Sequence, residues 1–246
     1  MVSGNEKSTV VRSAFDKLNM TPLPEPQTVR IRFRKTGDLQ YISHLDLQRV
    51  MSRVLMRSGV PVWFTQGFNP HPKMVFAMPL SVGTQSECEY LDIKIDRRIK
   101  MSEIAERINA QVTDEMRVTE VYRPQTKFSD IAYVTYDINI VDDSITEDTA
   151  KKAEKLLTTS PLNMIKKSKS GEREVDILQY VKKVNASFDG SLKISLTLTG
   201  GEGSLNPEMI VTAMREKLGI LKNYPSSGRY TILRTSLLFA DGKLFE

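Results

Sequence analysis

From residue 29 to 35 the chain reads VRIRFRK, with Val29, Ile31 and Phe33 alternating with Arg30, Arg32 and Arg34. A period of two with one apolar face predicts a half-buried strand. After the turn residues Gly37 and Asp38 the period becomes helical. In SHLDLQRVMSRVLMRSG, residues 43–59, Leu47, Val50, Met51, Val54 and Leu55 fall on one broad face, and Arg49, Arg53 and Arg57 on the opposite side. Ser43 with Asp46 resembles a capping box, and Gly59 is a C-terminal stop. VPVWF (60–64) and MVFAM (74–78) predict two short strands, and EYLDIKI (89–95) a longer one with Leu91, Ile93 and Ile95 inward. A helix over 101–112 and a strand over 116–123 close this first pattern.

The order then repeats. A strand is expected over 131–141, a helix over 146–160, extended segments over 162–169 and 173–181 around an SGE turn, and an alternating strand over 191–199. A helix over 206–219 follows, with Asn206 as cap, Pro207 at its first position and Gly219 at its end, then a strand over 229–239. Two consecutive halves with one element order predict an α+β protein of two tandem ferredoxin-like (split βαβ) domains, 28–125 and 126–246. Residues 1–27 end in TPLPEPQ, whose prolines suit an extended linker.

Composition narrows the class without choosing a function. The 246 residues are 40% hydrophobic and 26% charged, as in ordinary globular proteins. No apolar run approaches the ~20 residues that would span a bilayer, and the N-terminus carries no signal-peptide pattern, so a cytoplasmic protein with no membrane partner is expected. Cys88 is the single cysteine, which excludes an internal disulfide and an iron–sulfur cluster held by this chain alone. It suits a buried small hydrophobe. Asp46, Glu87 and Glu89 stand near the histidines at no metal-ligand spacing, so neither metal nor cofactor is expected. Net charge is +5, with 19 Lys and Arg against 14 Asp and Glu in residues 1–127, and 16 against 16 in 128–246. The excess in the first half points to a polyanionic partner such as RNA.

Both histidines lie in that half. His44, in the first turn of the first helix, is a candidate general acid or base; His71, pinned between Pro70 and Pro72, is a second. The candidate RNA or partner contacts are Arg30, Arg32, Arg34, Arg49, Arg53, Gln66, Asn69, His71 and Lys73. A stacking platform of the kind RNA-binding sheets use is not expected on the arginine face, because Phe33 points the other way. Chain direction places Gln66 near His44, so Gln66, Asn69, His71 and Lys73 are expected to gather with it as the domain's main polar pocket. TGGEGSLNP (199–207), before a helix, could cradle phosphate through backbone N–H groups, although it lacks the Gly-Lys-Ser/Thr ending of a P-loop.

The run YISHLDLQR, followed by QGFNPHPKMVFAMPLSVG and EYLDIKI within residues 38–95, resembles the radical-SAM-linked protein family, bacterial domains found alone or C-terminal to radical SAM proteins. The resemblance implies a functional link to a radical SAM enzyme and a place near RNA or ribosome modification. A weaker architectural similarity is to CRISPR-associated RNA-processing proteins, though here the glycine-rich segment precedes the last helix. The expected function is a non-catalytic, RNA-associated accessory protein. The alternatives are an RNA-acting enzyme using His44 and a protein-binding adaptor.

Overall fold

A computed structural model describes residues 20–159, 161–168, 171–201 and 204–246. Most of the proposed N-terminal extension lies outside the described residues. The chain forms two compact units: the first includes the described residues up to Val82, Ser86–Phe128 and Glu246, and the second Gly83–Gln85 and Ser129–Phe245.

In the first unit, β1 (Pro22–Lys35) leads into α1 (His44–Ser58), then β2 (Met74–Phe76), β3 (Thr84–Arg97), α2 (Met101–Asn109) and β4 (Val118–Tyr122). β3 pairs antiparallel with β1 on one edge and β2 on the other, and β1 pairs antiparallel with β4. The strand order is therefore β4-β1-β3-β2. Val29, Ile31 and Phe33 alternate onto one face and are fully buried against Leu47, Met51 and Leu55 of α1 and Ile104 and Ile108 of α2. Ser43 caps α1 by accepting from Asp46 N, while its hydroxyl donates to the Asp46 carboxylate at 2.7 Å. Gly59 ends the helix in the left-handed region, φ 65°. Cys88 is buried.

β1 begins earlier than alternation indicates, and residues 22–27 belong to it rather than to a linker. Pro22 pairs with Arg97 and Gln27 with Ile95, so residues 23–26 bulge opposite Asp96 alone. β4 pairs only with residues 30–33 of β1. The prolines therefore occupy a stretch where no β4 partner needs their N–H, which is how a strand tolerates them. Conversely, 60–64 makes only isolated bridges, Val62 to Ile95 and Phe64 to Pro72.

The second unit contains β5 (Tyr133–Val141), α3 (Glu147–Thr158), the hairpin β6 (Asn163–Ser168) and β7 (Gly171–Asp176), β8 (Val181–Phe188), β9 (Leu192–Thr199), α4 (Glu208–Leu218) and β10 (Arg229–Leu238). Its antiparallel order is β10-β5-β9-β8. Ile138, Ile140, Ile194 and Leu198 bury with Ala153, Leu157, Ile210 and Met214 as its core. β8 replaces the strand expected over 173–181, whose residues divide between β7 and a short 3-10 turn. As the outer strand of its sheet, VKKVNASF buries little, and Lys182 and Lys183 cut the alternation of Val184, Ala186 and Phe188 short. Pro207 stands at the N-cap of α4, one position later than expected, and Asn206 Oδ1 just before it accepts from Glu208 N at 3.2 Å. Part of the glycine-rich segment before it, residues 202–203, lies outside the described residues. The chain is α+β. No helix among the described residues is long and apolar enough to cross a membrane.

Arg30 departs most from the expected open face. Its side chain is 1% exposed and forms a two-pronged pair with Asp92, Nε to Oδ1 at 2.8 Å and Nη2 to Oδ2 at 2.9 Å. Thr126 accepts from the same guanidinium through Oγ1 and its carbonyl, and the Phe128 ring lies 4.3 Å away. The segment after β4 thus covers this part of the sheet. Asp92→Ala should destabilise the first unit by about 3–5 kcal/mol in urea unfolding, because it strands a buried charge. The paired change Arg30→Met with Asp92→Leu should cost much less. A single-variant loss below about 1 kcal/mol, the scale of an exposed pair, would contradict the assignment.

Candidate functional site

The stretch 61–77 is one edge strand interrupted by a hairpin. Asp96 N donates to Pro61 O and Trp63 N to Lys94 O, laying 61–63 along β3. The chain then leaves, and rejoins β3 with Met74 opposite Ile93. Between these two points the excursion closes on itself: Thr65 N donates to His71 O at 2.9 Å and Lys73 N to Trp63 O at 3.2 Å. Gly67 sits at φ 139°, a conformation that favours glycine. Pro70 and Pro72 fix the return arm.

His71 helps hold the tip rather than standing free. Its backbone N–H donates to Thr65 Oγ1 at 3.2 Å, and its Nδ1 lies 3.1 Å from Asn69 O. Thr65 Oγ1 also stands 3.2 Å from Nδ1, so both ring contacts fall on Nδ1 and neither on Nε2. Around it Gln66, Asn69 and Lys73 are exposed. Phe68 at the tip is 93% exposed. A single exposed phenylalanine is ordinary on a protein surface. Here the phenylalanine is presented on a doubly anchored, proline-stiffened tip among polar and cationic groups.

Neither Phe68 nor the charge pattern around it figures among the residues that periodicity and polar chemistry single out. Residues 47–86 contain no Asp or Glu, while they carry Arg49, Arg53, Arg57, His71 and Lys73. That acid-free run was visible in the sequence and marks the same segment.

The other candidates divide by their partners. Arg30 is committed to Asp92 and buried, so it is removed from the contact surface. Arg32 pairs with Glu120 at 3.0 Å, and Arg34 donates to the Asp114 carbonyl. The arginine face of β1 is therefore largely spent on its own unit. Arg49 pairs with Asp46 at 2.9 Å on the exposed side of α1. Arg53 and Arg57 on that side are exposed.

His44 opens α1 half-buried. Its Nε2 lies 2.9 Å from Gln48 Nε2, and its ring meets Phe76 edge-on at 5.2 Å between centroids. Phe76 pairs with Leu91, whereas the hairpin leaves β3 at Ile93 and Lys94. The contacts of His44 are thus with Gln48 and Phe76, and those of His71 with Thr65 and Asn69. The two clefts of about 490 and 510 Å³ described in this unit are lined by neither histidine nor by Gln66, Asn69 or Lys73.

A family described as "Uncharacterized protein conserved in bacteria (DUF2344)" matches residues 28–207. No curated protein matches the chain. Among solved structures, a chain of the crystal structure of a Cbf5-Nop10-Gar1 complex aligns with 9% identity and a TM-score of 0.44, covering 89% of this chain and 55% of that one. The present chain thus spans about half the length of that neighbour.

Burial lowers the His44 pKa below the ordinary imidazole value, against a smaller opposing pull from Glu89. In an NMR titration its ring should lose its proton below the usual midpoint of about 6.5. The unfolded chain then takes up this proton first as pH falls. Stability from His44 is accordingly full above about 6.5 and is lost as pH falls through the lower folded value. His44→Gln should flatten the stability profile over that window in urea unfolding; a His44 midpoint above 6.5 would contradict the assignment.

Proposed function

This chain belongs to the DUF2344 family of proteins conserved in bacteria, and we propose that it is a non-catalytic accessory protein that binds single-stranded RNA and works beside a separate radical SAM enzyme. The observation that carries the RNA part is Phe68, 93% exposed on a hairpin anchored at both feet. A base stacks on an aromatic face without sequence preference, and nearby cations hold the backbone phosphates. Lys73 supplies such a cation, His71 Nε2, Gln66 and Asn69 supply hydrogen-bonding groups, and the acid-free run 47–86 leaves no carboxylate of its own to repel the strand.

The radical SAM part rests on the resemblance of residues 38–95. With Cys88 as the chain's single cysteine, and buried, an iron–sulfur cluster would belong to the partner. A split βαβ, ferredoxin-like plan for each unit is part of the same proposal. It is supported by two matching strand orders, β4-β1-β3-β2 and β10-β5-β9-β8, each with two helices between its strands. The environment of His44 favours a packing role over an acid–base one, since its ring is engaged by Gln48 and Phe76.

Fluorescence anisotropy with a short unstructured RNA lacking a 5′-phosphate tests the proposal. Phe68→Ala should weaken binding by about 1–3 kcal/mol, the worth of one base–aromatic stack, with unfolding unchanged because the ring is exposed. Lys73→Ala should lower the slope of log K against log salt by about 1. Absence of binding at low salt, or full affinity in Phe68→Ala, would overturn the RNA part. Affinity purification from the source bacterium should recover a radical SAM protein, and its absence would overturn the partner part.

A further inference from the structure

A cleft of about 510 Å³ lies in the first unit where β1 enters the sheet and β3 leaves it. Its size falls within the range of small-ligand sites, about 300–1,000 Å³. One wall is the bulge of β1, residues 23–26, which stand opposite Asp96 alone. Leu23 and Pro24 line the cleft from that bulge. Proline fixes its own backbone torsion, so this wall is stiff. Bulges of this kind commonly re-aim side chains beside functional sites.

Three arginines line the same space: Arg97 from the last position of β3, Arg98 from the next residue, and Arg123 from the residue after β4. Among the described residues, no carboxylate lines it. Asp96, the residue before Arg97, stands beside the cleft with its Oδ1 3.8 Å from Arg97 Nε. Arg98 and Arg123 are exposed at the mouth, and Arg97 is 8% exposed at the back. Gln27 contributes a further feature. Its Oε1 is buried and has no donor among the described residues. Native interiors rarely leave such an acceptor unmet.

Like charges gathered in a cleft favour an anion, and guanidinium forks match phosphate oxygens in geometry. An unmet acceptor beside them calls for a ligand that also carries a donor. We propose that this cleft binds a nucleotide, its phosphate held by Arg97, Arg98 and Arg123 and a ribose hydroxyl or base amine donating to Gln27 Oε1. A free mononucleotide and the 5′-terminal nucleotide of an RNA strand share this chemistry. The cleft does not depend on the hairpin or on the RNA-binding role assigned to it.

Isothermal titration calorimetry of the full chain tests the site with three probes: inorganic phosphate, each of the four ribonucleoside monophosphates, and a short RNA with or without a 5′-phosphate. A monophosphate or the 5′-phosphorylated RNA should bind more tightly than inorganic phosphate. Binding to the monophosphates assigns a free nucleotide; binding only to the phosphorylated strand assigns an RNA end. Arg98→Ser combined with Arg123→Ser, both exposed positions, should weaken the bound probe at least about tenfold through loss of two charge-assisted contacts. Gln27→Met should remove the preference over inorganic phosphate. The proposal is overturned if no probe binds, if phosphate binds as well as every nucleotide probe, or if the double variant binds like the parent. RNA lacking a 5′-phosphate reads the hairpin and the monophosphates read the cleft, so the two proposals fail separately.

Discussion

Backbone pairing along the outer edge of β3 fixes what the first unit can present. Trp63 and Met74 are eleven residues apart in sequence, yet both are pinned to adjacent positions of β3, one through Lys94 and the other through Ile93. The intervening chain has to leave the sheet and return to nearly the same place. It does so as a hairpin whose arms bond to each other and whose tip is tightened by His71, Thr65 and the Asn69 carbonyl. A loop with both feet set in a sheet loses little further conformational freedom on binding, which is the thermodynamic advantage of a prearranged contact. The core beneath supplies the rigidity: Val29, Ile31 and Phe33 pack under both helices, and Phe76 at the end of the edge strand touches Phe33 and His44.

Positive charge in this unit therefore serves two purposes. On β1 it is structural. Arg30 joins β1 to β3 through Asp92 and gathers the chain after β4 through Thr126, and Arg32 joins β1 to β4 through Glu120. A charge so committed offers little to a partner without breaking its existing pair. On the hairpin and at the Arg98–Arg123 mouth the cations face solvent instead. Counting arginines along the chain cannot separate these uses; the cross-strand neighbour decides.

That distinction sets how much the sequence could reveal. Strict alternation located the buried faces of β1 and β3, and helical spacing with Ser43 and Gly59 located α1, because each signal is local. Arg30 is buried rather than on an open face because its fate depends on Asp92, Thr126 and Phe128, which lie far away in sequence and meet it only in the folded sheet. The prolines of residues 22–26 suggested a linker because a strand tolerates them only where its partner is missing, and pairing is a tertiary property. β8 escaped because an outer strand needs little apolar surface. The hairpin was recognised as stiff from Pro70 and Pro72. Its tip residue Phe68 carries no local signal of exposure, since an apolar residue in a loop reads as buried until the hairpin's anchoring is known; the absence of acids from 47 to 86 is the sequence feature that marks the segment.

Ultraviolet cross-linking of the full chain to a uniformly labelled single-stranded RNA, followed by mass spectrometry of tryptic peptides, reports directly which surface meets the strand. Cleavage after Arg57 and Lys73 isolates the hairpin in one peptide, residues 58–73. The hairpin account predicts that this peptide carries the main adduct, with Phe68 as the modified residue. Adducts confined to residues 129–245, with peptide 58–73 unmodified, would contradict it.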